Sequence, residues 1–163
     1  MVPNIPFQRP SRYRKGIMTT FGVIVAPFYK CDEVAREGAP VVIDTAKSET
    51  VKVAVPGSSS AGCLGFLAQQ TYDPSVLGEL AGYEFFNNTK ARIGDAVGVI
   101  TGAGWVETLN YAGEINEHDE LYPGPSGYLV AFQTGSDKSV GVAETSGTDG
   151  DSYIRVRVDF SLV

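Results

Sequence analysis

Near the end of the chain apolar and polar residues alternate without interruption. Ile154, Val156, Val158, Phe160 and Leu162 share one face, and Arg155, Arg157, Asp159 and Ser161 the other. A period of two with one charged side predicts a β-strand with one buried and one wet face. Similar short runs recur upstream. Residues 21–26 (Phe-Gly-Val-Ile-Val-Ala) are apolar on both faces and read as a buried strand that Pro27 should stop. A second strand begins at 38–43 after a polar turn. Residues 51–55 alternate and are closed by Pro56-Gly57 and three serines at 58–60, and residues 62–69 resume the sheet.

The pattern continues past the middle of the chain. Residues 94–100 read as a strand, 101–104 as a tight turn and 105–109 as its hairpin partner. Residues 116–120 form a charged loop. The runs at 121–122 and 128–132 flank the rigid corner Pro123-Gly124-Pro125, 140–143 follow a Gly-Ser-Asp-Lys turn, and 148–151 make the last reversal. One short helix is predicted: Asp73 can cap it, Pro74 suits its first position, Val76, Leu77 and Leu80 recur at helical spacing, and Gly82 ends it. Gly78 weakens that helix by about 1 kcal/mol relative to Ala.

Composition sharpens the class. The 163 residues include 19 Gly and 9 Pro, which favour tight turns and block helix interiors, and 43% hydrophobic content is enough for one core. The expected fold is all-β: a small, glycine-punctuated β-barrel or sandwich with one short helix. Residues 38–41 and 94–97 echo each other once, and no interval recurs, which argues against a solenoid or propeller.

Charge divides the chain. Residues 1–31 hold no acidic side chain and carry Arg9, Arg12, Arg14, Lys15 and Lys30, a charge of +5, whereas the remainder carries −11 of the net −6. The opening stretch also contains Pro3, Pro6 and Pro10 and only scattered apolar residues, so it cannot close a core on itself. Residues 1–20 are therefore expected to be an extended basic N-terminal arm, and residues 21–163 a single β domain. The acidic domain would repel nucleic acid, leaving only the arm able to touch phosphate. The basic residues at 12–15 followed by the apolar stretch 17–26 only faintly imitate a secretion signal, and no run reaches the length of a bilayer span.

Candidate chemistry is sparse. Cys31 and Cys63 have no second pair and read as small core residues, so neither a disulfide framework nor a zinc site is expected. The single histidine, His118, sits in Glu117-His118-Asp119-Glu120, a polar turn with no nucleophile nearby in sequence. Ser126 lacks the setting of a nucleophile elbow. Gly102-Ala103-Gly104 has two glycines of a dinucleotide fingerprint, but Glu107 stands at the third position, so it reads as the hairpin turn. The acidic loops around Glu114, Asn116, Glu117, Asp119 and Glu120, and around Asp149 and Asp151, do not match a calcium loop and read as turn chemistry. Trp105, Tyr83, Phe85, Tyr111, Tyr122, Tyr128 and Phe132 read as strand and core aromatics rather than a stacking platform. No catalytic residue, metal or cofactor is expected, and the protein is not expected to be an enzyme.

The order of parts resembles that of bacteriophage capsid decoration proteins, also called cement or head-stabilisation proteins. The likeness lies in the arm, the glycine-punctuated β body, the Gly-Asp-Ala-Val run at 94–97, and the terminal pair formed by 140–145 and 153–158. The resemblance implies a non-enzymatic virion protein, often a homotrimer, on the outer capsid surface, binding and tying together major capsid proteins. Ile5, Phe7 and Tyr13 would then be apolar anchors, and Arg9, Arg12, Arg14 and Lys15 the cations of a capsid-binding arm. Two other readings stay open: an arm that binds nucleic acid, and a carbohydrate-binding module of a tail or fibre.

Overall fold

The alternating C-terminal stretch forms a strand, Ile154–Asp159, in which every second residue is buried, and Phe160 is buried beyond it. The computed structural model describes residues 17–73 and 90–160. Within them the chain forms β1 (Ile17–Cys31), β2 (Pro40–Ile43), β3 (Thr50–Val53), β4 (Gly65–Leu67), β5 (Gln70–Tyr72), β6 (Lys90–Arg92) and β7 (Ala96–Thr108). There follow β8 (Glu114–Ile115), β9 (Glu120–Pro123), a 3-10 turn at Pro125–Gly127, β10 (Leu129–Val130), β11 (Gly141–Ala143), β12 (Gly147–Thr148) and β13 (Ile154–Asp159). The fold is all-β. The helix expected after Asp73 falls on residues 74–82, and the last two residues of the alternating pattern on 161–162, both outside the described residues.

β7 is the spine. One of its edges pairs antiparallel with β1 from Ile17↔Thr108 to Lys30↔Ala96. Its other edge is shared: β4 takes Val99 and Ile100, and β13 takes Ala103 to Thr108. From β4 the sheet continues to β2 and β3, and β3 returns parallel to β1 at Lys30↔Thr50 and Cys31↔Val51. These pairings close a five-strand ring, β1-β3-β2-β4-β7. The far half of β7 carries an open extension, β13-β11-β9-β10.

The two halves share strands because those strands bury both faces. Cys31, Val51, Val41, Leu67 and Val99, one from each ring strand, pack together as the ring's interior. Their sequence neighbours Val42, Phe66 and Ile100 point the other way by the period of two. They join Val106, Leu121, Val156, Val158 and Phe160 in a second cluster between ring and extension. There Phe66 meets Phe160 edge-to-face, with ring centres 5.2 Å apart. Each fully buried side chain of this size contributes about 1.5–3 kcal/mol, so the alternation of β13 alone anchors the extension firmly.

Three boundaries differ from the sequence reading. Pro27 does not stop the first strand. Between Ala26↔Val99 and Tyr29↔Val97, β1 advances three residues against two on β7, a bulge that accommodates a residue without an N–H. The glycines at 102–104 are not a hairpin turn but lie inside β7. Between Phe21↔Trp105 and Val23↔Gly102 the extra residue is on β7, and Gly102 takes φ 91°, so the glycines supply a bulge where a reversal was expected. Finally, β1 begins at Ile17, so four residues assigned to the arm belong to the sheet.

Candidate docking face at the root of the arm

The residues expected to bind a capsid, Ile5, Phe7, Arg9, Arg12, Tyr13, Arg14 and Lys15, all precede Ile17 and lie outside the described residues. Their root is described. β1 pairs with β7 at ten positions, so the segment continues from one of the two longest strands in the described fold.

Beside that root lies the wet face of the extension. Cross-strand register sets Trp105 opposite Arg157, Arg157 opposite Val142, and Val142 opposite Glu120, forming one row across four strands. Glu107 stands opposite Arg155 in the next row. Trp105 is 37% exposed and donates its indole N–H to Glu144 Oε2 at 2.9 Å. Arg157 Nε approaches the other oxygen of Glu144 at 3.9 Å, and Arg155 Nη2 donates to Glu107 Oε1 at 3.1 Å. Tyr122 donates its hydroxyl to Glu120 Oε2 at 2.6 Å, and that carboxylate pushes the phenol pKa up. A shallow groove crosses the face, lined by Gly104, Trp105, Val142, Arg157 and Asp159. The result is an apolar ring held between fixed charges of both signs, a surface suited to recognising another molecule by contact.

The sequence reading missed this face because it broke β7 at residues 101–104. Once 96–108 is one strand, Ala103, Trp105 and Glu107 share a parity that matches Asp159, Arg157 and Arg155, so the signal was present in both alternations.

Other candidates resolve into structure. Cys31 and Cys63 are buried free thiols. Burial pushes the Cys63 thiol up to about 12 and raises that of Cys31 as well. His118 is exposed at φ 75° in the turn before β9, its Nε2 3.7 Å from Glu117 Oε1. Asp119 Oδ2 accepts the Asn116 N–H at 2.8 Å, Asp149 Oδ1 that of Gly113 at 2.6 Å, and Asp151 Oδ1 that of Thr148 at 3.2 Å. These are turn contacts. Among the described residues no three His, Cys, Asp or Glu side chains gather to hold a metal. Tyr111 and Tyr122 are buried, and Tyr128 lies under Arg36, whose guanidinium carbon is 4.1 Å from the ring centre. Phe132, expected among the core aromatics, is instead 60% exposed, in the bend after β10. Tyr83 and Phe85 lie outside the described residues.

No family model matches the sequence, and no curated protein matches it. Among the described residues no helix is long and apolar enough to cross a membrane.

Proposed function

We propose that this chain is a structural capsid decoration protein whose cationic N-terminal segment grips the major capsid protein on the outer surface of a phage head. The observation that supports this reading is the continuity of that segment with β1. β1 is laid antiparallel along β7 from Ile17 to Lys30, with ladder hydrogen bonds perpendicular to the strand. Tension along the arm therefore loads many bonds together in shear instead of opening them one by one. A tether that holds a shell together needs that kind of root. The charge division fits as well, since residues 1–16 carry +4 and can lie on a partner while the rest of the chain, at −10, keeps decorated particles apart in solvent.

Ordering a free arm costs about 1–2 kcal/mol per residue, so binding needs many contacts, and several arms on one assembly would compensate through effective concentration. The test is co-sedimentation of the purified chain with expanded, undecorated heads. Saturable binding is expected, and a variant with Arg9, Arg12, Arg14 and Lys15 changed to Gln should lose it. Undiminished binding by that variant refutes the reading. If the arm instead serves nucleic acid, the same variant loses affinity for DNA or RNA, and the unmodified chain shows a log–log salt slope of about −3 to −4.

One observation favours a second reading. The half-exposed Trp105 over its groove is the kind of flat surface on which a sugar ring stacks. Quenching of Trp105 fluorescence by oligosaccharides would support a carbohydrate-binding module, and an unchanged spectrum would remove it.

A further inference from the structure

Trp105 is the chain's single tryptophan, and its ring is held in place. The indole N–H ends on one oxygen of Glu144 at 2.9 Å, and the other oxygen of that carboxylate lies 3.9 Å from Arg157 Nε. Glu144 follows β11 and Arg157 lies on β13, so neighbouring elements brace a ring that belongs to β7. In the adjoining row Ala103 stands opposite Asp159. With Ala103, Gly104 and Gly141 supplying almost no side chain, a depression of about 520 Å³ opens beside the indole, within the roughly 300–1,000 Å³ of small-molecule sites.

We infer that this depression is a subsite for one neutral pyranose ring of a glycan, with Trp105 as its stacking platform and Arg157 and Asp159 as the partners of its hydroxyl groups. The inference rests on the carbohydrate reading and deepens it by naming the sugar class and the residues that select it. A pyranose presents a face of C–H bonds and a rim of hydroxyls. The exposed indole matches the face. For the rim, a guanidinium only donates and a carboxylate only accepts, so one hydroxyl accepts from Arg157 while its neighbour donates to Asp159. The Arg157 side chain is 60% exposed, which leaves its terminal donors within reach of a ligand. Because Glu144 already fixes the indole, the ring loses little freedom when a sugar lands on it.

Charge selects among ligands that have a flat face. This side of the sheet carries Glu107, Glu120, Glu144 and Asp159 against Arg155 and Arg157, an excess of two carboxylates, on a chain whose net charge is −6. Uronic acids, sialic acids and nucleotides bring anions to that excess and are repelled. A cationic ring would meet Arg157 beside the indole. A neutral sugar meets neither penalty.

Failure to bind heads would leave this inference standing. Since no other tryptophan is present, emission reports on the subsite alone. The full chain is titrated with maltotriose, cellotriose and triacetylchitotriose as neutral probes, and with trigalacturonate as the acidic one. A saturable change is expected with at least one neutral probe and none with trigalacturonate. No change with any neutral probe overturns the inference and the carbohydrate reading together. Equal affinity for trigalacturonate overturns the neutral class and leaves that reading in place. Arg157→Ala and Asp159→Ala, both at exposed positions, should keep the β circular-dichroism signal and bind the responding probe about tenfold more weakly. Unchanged affinity in either variant overturns the assigned hydroxyl contacts while sugar binding itself survives. Glu144→Ala removes no sugar contact, so its expected signature is a lower anisotropy of Trp105 emission together with weaker binding. An anisotropy equal to that of the unmodified chain overturns Glu144 as the positioning residue.

Discussion

The carboxylate of Asp137 accepts the backbone N–H groups of Gly57 at 2.7 Å and Ser59 at 2.9 Å, tying the loop before β11 to the loop after β3. Asp137 is 1% exposed. Burial alone would raise its pKa, yet the two backbone donors outweigh burial and hold it below the usual carboxylate range. A group with a depressed folded-state pKa contributes fully above its unfolded value, near 4, and that contribution is lost as pH falls through the lower folded value. Urea melts should therefore show stability falling on the acid side of about pH 4. Asp137→Asn should cost about 1.5–3 kcal/mol at neutral pH and flatten that acid limb. An acid limb identical to that of the unmodified chain would show that Asp137 is not its source.

The same loop positions a thiol. Burial pushes Cys63 up to about 12, and Cys31 is raised chiefly by burial. A thiol this far from ionising is a poor nucleophile, so neither cysteine should release colour from Ellman's reagent at about pH 8 while the chain is folded. Both should react once denaturant is added. Fast reaction of either in native buffer would mean that the segment around it opens locally.

Gly65 lets β4 lie close against the backbone of β7. A Cβ built there falls on the backbone carbonyl of Ile100, in the strand to which β4 pairs, and this neighbour is not a flexible side chain that could swing away. Overpacking in a core usually costs about 1–3 kcal/mol, and a clash with a paired carbonyl lies at or beyond the upper end. Gly65→Ala should lower the denaturation midpoint accordingly and loosen the β4–β7 contact. Hydrogen exchange at the amide of Ala68, which donates to the Gly98 carbonyl of β7 at 2.8 Å, would reveal that loosening, while a wild-type midpoint would mean the two strands can separate at little cost.

The sequence was readable where one strand had one wet face and failed where a strand buried both. β13 follows its alternation residue by residue, because solvent on one side punishes any slip of register. β7 had no such guide in its first half, since Val99 faces the ring interior and Ile100 the second cluster. With both faces apolar, periodicity carried no information, and the glycines at 102–104 then passed for a turn. Proline misled in the same way at residue 27, because the rule that it ends a strand assumes an unbulged ladder. The docking face was hidden by these errors rather than by weak signal, for its residues alternate clearly once β7 is continuous. Closure of the ring depends on two paired positions between β1 and β3, a long-range contact that no local pattern encodes.

The root of the arm makes a last, graded prediction. Removing residues 1–16 takes away no pairing of the described fold, whereas removing residues 1–20 deletes Ile17↔Thr108, Thr19↔Glu107 and Thr20↔Val106. The lost ladder should cost about 2–4 kcal/mol in total. The 1–16 truncation should therefore melt with the full chain and the 1–20 truncation well below it. Equal melting of the two truncations would place the structural start of the domain after Thr20, and the shear-loaded root argued for the tether would lose its first turn of support.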